Sequence, residues 1–317
     1  MRRASRPVLL GSGLLFFTAT WKWPPRSLVA PLRAETPPKL LIVGCGSLGT
    51  LAGSAWLRRH PGATVVAETA TVQRHAELTA LGLRPRARAT GVDAEDDADF
   101  ANVLFCLPPG KASDYVQEVR RAIAQWNGAG AIVFTGSGAV FEETDGGVVT
   151  EASPTAQVPS ERQSLLLAAE GAILQSGGTV VRLAGLYSKT KGPHVFWLKS
   201  GTIRGKPDGI INLVHYEDAA ELVAEALDAK LRGKLLLGCD DEALTRQRIL
   251  DAALGIPEFA SLPRPVFQEG GRNRRTGRSA DEKGRVYDNS ATRRLVPWVP
   301  RFGSFEVFAA SQQRTES

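Results

Sequence analysis

Cysteine is scarce in this sequence. Its three cysteines, Cys45, Cys106 and Cys239, lie far apart, and none belongs to a Cys-x-x-Cys pair. An odd and widely spaced set argues against a disulfide framework and gives no support to a zinc or dithiol redox site. We therefore expect a reducing environment, buried cysteines and no bound metal.

Long apolar runs are also missing. Residues 1–37 read as a targeting leader with a basic start, an apolar stretch at 8–21 and small residues ending near position 34. This stretch is shorter than the ~20 residues that span a membrane. We expect no integral membrane segment in the mature protein, with an uncleaved anchor as the alternative. A leader rich in Arg and Ser predicts import into an organelle, a plastid or a mitochondrion, and removal there.

An excess of one charge is absent from the body of the chain. The formal net charge is +6, but six basic residues precede the first acidic residue, Glu35, and without them the basic residues equal the 33 acidic ones. A local basic excess remains between residues 264 and 301. Two interpretations of it stay open: a solvated loop, or a surface for RNA or an anionic protein, although no aromatic residues alternate with its arginines for base stacking.

Short apolar runs and longer helical segments alternate along the chain. The apolar runs predict strands at 40–43, 63–67, 102–107, 131–134 and 179–183. The segments between them predict helices at 48–59, 72–81, 115–126 and 164–175. Strands separated by helices of this length predict β-α-β units. The predicted fold class is therefore α/β, a doubly wound, Rossmann-like parallel sheet with helices on both faces.

The alternation loosens after residue 187. Residues 188–209 are rich in Gly, Lys and Pro and predict an irregular segment. A helix at 217–230 and a strand at 234–237 follow. We expect three parts: the leader at 1–37, a dinucleotide-binding domain at 38–187, and a small C-terminal α+β lobe at 188–317 that faces the substrate and returns elements to the sheet.

The first predicted strand runs into a glycine-rich turn. The turn consists of Gly44, Cys45, Gly46, Ser47, Leu48 and Gly49. In a Gly-x-Gly-x-x-Gly turn the first glycine permits a tight bend, the second lets the backbone approach a diphosphate, and the third allows close helix packing. The N–H groups of the following helix then face the phosphates. This strand, turn and helix predict a bound dinucleotide, NAD or NADP, against a purely structural turn as the alternative.

Glu68 and Thr69 end the second predicted strand, about 19 residues after the third glycine. A carboxylate at this position accepts hydrogen bonds from the adenosine ribose and favours NAD. Thr69, Thr71 and Arg74 instead suit the 2′-phosphate of NADP, and Glu68 is equally well interpreted as a solvated carboxylate. The choice between NAD and NADP stays open.

Several blocks of sequence together resemble the extended, epimerase-like branch of the short-chain dehydrogenase/reductase superfamily. These blocks are residues 39–49, 103–109, 134–141, 149–154, 182–187, 212–218 and 287–295. The chain is most similar to atypical bacterial and plant-plastid members described as NAD-dependent epimerase/dehydratase-like, NAD(P)-binding Rossmann-fold proteins. The resemblance implies an NAD(P) cofactor, a plastid location and a homodimer. It adds Leu107, Pro108 and Ser137 to the residues expected to bind the cofactor.

The resemblance fails at the two residues that matter for catalysis. Active members use a Tyr as acid and base, with a Lys four residues later that lowers the pKa of the Tyr. Arg162 and Leu166 occupy these positions here. Arginine stays protonated, and leucine carries neither charge nor a hydrogen-bond donor. The catalytic residues are therefore unknown, with Ser137 as a remaining candidate to hydrogen-bond a substrate oxygen.

Two classes of function remain. One is a divergent oxidoreductase or epimerase acting on a small carbonyl or sugar-like substrate. The other, favoured by the missing pair, is a non-catalytic cofactor-binding scaffold, assembly factor or RNA-associated protein in an organelle. Three more residues are candidates on the substrate side: Tyr187 after a strand end, His194 in a predicted surface loop, and His215, which is either structural or part of the substrate site.

Overall fold

The computed structural model describes residues 37–88, 99–112, 114–272 and 279–313. The predictions for the leader up to residue 36 and for the part of the basic region at 273–278 lie outside the described residues. Within the described part of the chain, no helix is both long enough and apolar enough to span a membrane.

Strands and helices alternate through the first half of the described chain. The strands are β1 (Lys39–Val43), β2 (Thr64–Thr69), β3 (Arg84–Ala87), β4 (Asn102–Phe105), β5 (Ile132–Ser137), β6 (Asp145–Val149), β7 (Thr179–Leu183), β8 (Gly185–Tyr187), β9 (Thr202–Arg204), β10 (Ile210–Ile211), β11 (Leu213–His215), β12 (Leu235–Gly238), β13 (Leu244–Thr245), β14 (Val266–Gln268) and β15 (Gly284–Tyr287). The helices are α1 (Ser47–Arg59), α2 (His75–Ala80), α3 (Tyr115–Ala124), α4 (Glu161–Gln175), α5 (Pro193–Ser200), α6 (Tyr216–Asp228), α7 (Arg246–Leu254), α8 (Ser290–Leu295) and α9 (Phe305–Gln313).

Seven strands form one sheet in the order β12-β7-β5-β4-β1-β2-β3, and every neighbouring pair is parallel. From β1 the chain adds β2 and β3 on one side, then crosses back to add β4, β5, β7 and β12 on the other. The predicted doubly wound parallel sheet is confirmed. The direction of winding reverses between β1 and β4, which is where open α/β sheets bind ligands.

The central strand β1 is covered on both faces. Leu40 and Ile42 belong to the core cluster that includes residues of α1 and α6. Leu41 and Val43 belong to the cluster that includes residues of α3 and α4. All four side chains are fully buried. Burial on both faces explains why this strand is a continuous apolar run rather than an alternating pattern.

Helix α6 and strand β12 come from the part of the chain after residue 187 and complete the sheet layer. Helix α6 packs on α1, where Arg59 pairs with Glu221, Glu225 and Asp228. Strand β12 pairs with β7. The last strand of the sheet and one of its covering helices therefore come from residues far along the chain.

Two local predictions were wrong. Residues 188–209 are not irregular, because they contain α5 and β9. Helix α5 begins with Pro193 at its first turn and ends at Gly201, whose φ of 67° suits a glycine. Strand β3 was not predicted, since its sequence Arg-Pro-Arg-Ala is polar, and it forms the edge of the sheet beside β2.

Candidate functional site

The first glycine of the turn after β1 has a backbone conformation that favours glycine. Gly44 has a φ of 83°, in the left-handed region. A Cβ placed on it would lie 2.6 Å from the backbone N and Cα of Leu107. The turn is therefore closed against the segment that follows β4, and any side chain at Gly44 would push the two apart.

The other two glycines differ in what surrounds them. A Cβ on Gly49 would lie 3.0 Å from Cys106 Sγ and from Ile42 Cγ2, so this glycine lets α1 pack closely on the sheet. A Cβ on Gly46 would meet only the Gly44 carbonyl oxygen, at 4.0 Å. Gly46 is exposed. Its backbone is bare on the side where a diphosphate approaches in this motif, so the residues present fit a dinucleotide.

Helix α1 begins at this turn without a side-chain cap on its N-terminus. Gly46 is the capping residue, and Ser47 opens the first turn with its hydroxyl accepting a hydrogen bond from the Lys191 ammonium. Cys45 and Leu48 are buried beneath. Uncapped N–H groups and the positive end of the helix dipole attract anions. Lys191 adds a full positive charge at the same place.

The segment after β4 is tied to the glycine turn by backbone and thiol contacts. The Cys106 N–H donates to Val43 O at 3.0 Å, and its thiol donates to Gly44 O at 3.3 Å. Burial raises the pKa of the Cys106 thiol well above its ordinary value, so it stays neutral. Tyr115 donates its hydroxyl hydrogen to Leu107 O at 2.9 Å and fixes this segment from α3. Pro108 is exposed beside it.

The end of β2 does not present a free carboxylate. Glu68 is only 2% exposed, so its interpretation as a solvated carboxylate was wrong. Its Oε1 accepts from Arg121, and its Oε2 accepts from Arg121 at 3.1 Å and from Arg86 at 3.2 Å. Thr69 Oγ1 is bonded within the turn, to Thr71 O at 2.8 Å. Glu68 therefore joins β2 to β3 and α3.

Ser137 lies half-buried at the end of β5, beside the start of α4. Its Oγ accepts from the Ala139 N–H at 3.2 Å. Gln163 donates from Nε2 to Ala139 O at 2.7 Å, and it also closes a capping box with Ser160. These bonds hold the first turn of α4 against the turn that follows Ser137.

The two positions of the missing acid–base pair are filled by groups that do not exchange protons. Arg162 lies in the first turn of α4, and its Nη1 donates to Pro109 O at 3.4 Å across the cleft. Leu166 is 3% exposed and packs in the core cluster with Val43 and Phe134. Neither position can act as a general acid or base near neutral pH.

A buried ion pair lies behind Ser137. Arg182 on β7 donates to Glu170 on α4, with Nη2 to Oε2 at 2.8 Å, and the two side chains are 7% and 3% exposed. Gly136 makes room for the carboxylate, since a Cβ there would lie 2.7 Å from Glu170 Oε1. Arg182 also lies over the Phe141 ring at 4.7 Å. The pair connects β7 to α4, next to the strand that ends in Ser137.

The three substrate-side candidates are all buried. Tyr187 is fully buried and has ring contacts with His215, Phe305 and Phe308. Burial raises its pKa above its ordinary value, so Tyr187 is not a surface proton donor. His215 caps α6, its Nδ1 accepting from the Glu217 N–H at 3.3 Å. His215 therefore has a structural role at the start of α6.

The prediction of a surface loop at His194 was wrong. His194 lies in α5 and is fully buried against the rings of Phe259 and Phe305. Burial lowers its pKa to about 4, so the imidazole is neutral in the folded protein. The signal was present in the sequence: His194, Trp197 and Leu198 are spaced as one face of a helix, and that face is buried.

The buried carboxyl group of Asp240 predicts that the stability of the protein depends on pH. It is 4% exposed and lines a cavity of about 370 Å³ with Asp288 and Arg293. Burial raises the pKa of Asp240 to about 8, and the negative charge of Asp218 contributes in the same direction. In the unfolded chain an aspartate titrates near pH 4. Between these values the folded state holds a proton that the unfolded state has lost.

The free energy of unfolding should therefore fall as pH rises toward 8. We expect Asp240→Asn to remove this fall. Between pH 6.5 and 8 the free energy of unfolding of the variant should rise by about 1–2 kcal/mol relative to that of the native protein. Urea unfolding at several pH values measures it. This window lies above the range in which buried His194, with its pKa of about 4, changes stability. Parallel pH profiles for the two proteins would contradict the prediction.

The structure brings most of the predicted cofactor residues to one edge of the sheet. The turn from Gly44 to Gly49 meets Leu107 and Pro108 at the reversal point, and Ser137 lies two strands away. Thr69 is on the neighbouring strand, while the Glu68 carboxylate is held by arginines. No local pattern predicts the contact of Lys191 with Ser47, because 144 residues separate them.

The chain was compared with known protein families, curated proteins and solved structures. No family model matches the chain, and no curated protein matches it. Among solved structures, a conserved protein of unknown function from Silicibacter pomeroyi superposes with a TM-score of 0.70 at 20% identity, covering 88% of this chain and 99% of that one.

Two enzymes with bound NAD are also similar. UDP-glucose 4-epimerase from Bifidobacterium longum, in complex with NAD+ and UDP, gives a TM-score of 0.62 at 14% identity and covers 87% of this chain and 98% of its own. dTDP-glucose 4,6-dehydratase from Bacillus anthracis, in complex with NAD, gives 0.65 at 10%, with 88% and 97% covered. The chain therefore has the Rossmann-like α/β fold that these epimerase and dehydratase structures share.

Proposed function

We propose that this chain binds NAD(P)(H) in the crevice between the ends of β1 and β4 and keeps it as a bound ligand rather than as the hydride carrier of a standard dehydrogenase. The observation that carries the proposal is the exposed backbone of Gly46 at the uncapped start of α1. It lies where the winding of the sheet reverses. Neighbours in fold that are complexes with NAD support the same ligand.

The residues that would hold the coenzyme divide along the crevice. Gly46, Ser47 and Lys191 would hold the diphosphate, since N–H groups and an ammonium group converge there. Leu107, Pro108 and Ser137 would line the continuation along the ends of β4 and β5. When bound, the nicotinamide ring supplies hydride transfer.

The positions of the usual acid–base pair hold no residue that can transfer the proton that accompanies hydride transfer. Arg162 donates a hydrogen bond to the backbone of Pro109, and Leu166 is part of the core. Tyr187 and Tyr115 are buried, and burial raises the pKa of both phenols. A bound coenzyme with no acid–base pair at these described positions suits a scaffold, assembly or sensing role, and the leader predicted from the sequence supports that role in a plastid.

Fluorescence titration with NADH and NADPH tests the proposal. We expect saturable binding of at least one coenzyme at sub-millimolar concentration, seen as a change in nicotinamide emission and checked by calorimetry. Failure of both coenzymes to bind at that concentration would overturn it.

Ser137 supports the competing proposal of a divergent oxidoreductase or epimerase. Its Oγ accepts one backbone hydrogen bond, which leaves the O–H free to donate to a substrate oxygen. Mass spectrometry of small molecules that copurify with the protein separates the two. A carbonyl or sugar-like compound recovered together with the coenzyme, and lost in Ser137→Ala, favours the enzyme. Coenzyme recovered alone favours the retained ligand.

A further inference from the structure

We propose that the coenzyme site selects NADP(H) over NAD(H), with Arg74 as the residue that recognises the 2′-phosphate. This inference rests on the proposed coenzyme binding. It concerns the adenosine end of the site, where the end of β2 approaches the glycine turn. The charges in that region decide whether a ribose hydroxyl or a phosphate is accepted.

The carboxylate that would exclude a phosphate is withdrawn. In sites selective for NAD, an acidic side chain at the end of β2 accepts from the ribose 2′-hydroxyl and repels a 2′-phosphate. The Glu68 side chain is 3% exposed and pairs with Arg86 and Arg121. Two guanidinium groups offset its single negative charge. The residue at this position therefore neither reaches a ribose from the surface nor opposes a phosphate.

A guanidinium group lies in the place that the carboxylate leaves. Arg74 follows β2 and reaches back to the glycine turn, with Nη1 donating to Cys45 O at 3.4 Å and Nη2 to Thr50 Oγ1 at 3.3 Å. It thus bridges the end of β2 and the start of α1. The ribose of a dinucleotide whose diphosphate lies at α1 is placed beside the end of β2. Arg74 is a cation placed at that point.

The position of Arg74 is fixed by an exposed partner. Its Nε and Nη2 donate to the two oxygens of Glu77 at 2.9 and 2.8 Å. The side chains are 38% and 55% exposed, so this pair is weak and accessible to a ligand. A planar guanidinium group binds phosphate through two parallel N–H groups. Glu77 both orients Arg74 and competes with the phosphate for it.

Coenzyme titration of matched variants tests the inference. We expect NADPH to bind the native protein about tenfold or more tightly than NADH, the effect of one or two charge-assisted hydrogen bonds. Arg74→Ala should weaken NADPH by a similar factor and leave NADH within about twofold. Glu77→Gln should tighten NADPH, because the competing charge is removed while the side chain keeps its size.

Lys191→Ala is the matched control, since it removes a cation at the diphosphate end. It should weaken NADH and NADPH by equal factors. Equal affinities of the native protein for the two coenzymes, tighter NADH, or equal losses of both in Arg74→Ala would overturn the inference while leaving coenzyme binding in place. Binding of neither coenzyme would overturn the proposed function as well.

Discussion

Replacing Gly46 by aspartate is expected to abolish coenzyme binding and to leave the fold at least as stable. The backbone of Gly46 has φ −84° and ψ −156°, which any residue adopts, and the nearest atom to a Cβ is 4.0 Å away. Aspartate is a preferred helix N-cap, and its charge suits the positive end of α1. The same charge would lie against the diphosphate and repel it. We expect this repulsion to lower the affinity for the coenzyme about a hundredfold or more.

Thermal unfolding and NADPH titration of the purified variant measure the two effects separately. Thr245→Asp is the matched control, because Thr245 caps α7 rather than α1, so the substitution places the same charge at the start of a different helix. It should change neither coenzyme affinity nor stability appreciably. A folded Gly46→Asp protein that binds coenzyme within threefold of the native one would show that the diphosphate lies elsewhere.

Removing Glu170 is expected to produce the largest loss of stability among single changes near the site. Glu170→Ala leaves the Arg182 guanidinium group buried without its carboxylate, and breaking such a pair costs about 3–5 kcal/mol. Burial raises the pKa of Glu170, and the hydrogen bonds and charge of Arg182 act in the opposite direction. Urea unfolding gives the free energy directly.

The exposed pair of Arg248 and Glu306 is the control for this experiment. Its side chains are 45% and 37% exposed, so Glu306→Ala should cost less than about 1 kcal/mol. If Glu170→Ala does not fold, Glu170→Gln provides the measurement, since the amide keeps one acceptor for Arg182 and should lose less. A Glu170 variant as stable as the Glu306 variant would show that the buried pair contributes little.

The sheet and the glycine turn could be predicted because their information is local. The apolar run at residues 40–43 and the spacing of Gly44, Gly46 and Gly49 are set by neighbours within ten positions, and each has one physical reason. The lengths of the connections then predict parallel strands. Only β3 escaped, because an edge strand of Arg-Pro-Arg-Ala has no apolar face for a pattern to reveal.

The environment of the site could not be predicted, because it depends on contacts between distant segments. Whether Glu68 meets solvent or arginines is decided by Arg86 and Arg121, 18 and 53 residues away. His194 was assigned to a loop because Gly192 and Pro193 precede it. The glycine and proline in fact start helix α5, and Phe305 covers its buried face.

The pairing of β6 with β15 has a consequence for how the molecule is made. The paired residues of these parallel strands lie 138 or 139 residues apart in sequence. The bond from Arg285 to Phe141 O at 2.7 Å spans 144 residues. During synthesis the strand at Asp145–Val149 emerges long before its partner. Distant pairings of this kind form late and leave strand edges uncovered while the chain grows. A nascent chain lacking residues 284–313 is thus the form most in need of a chaperone.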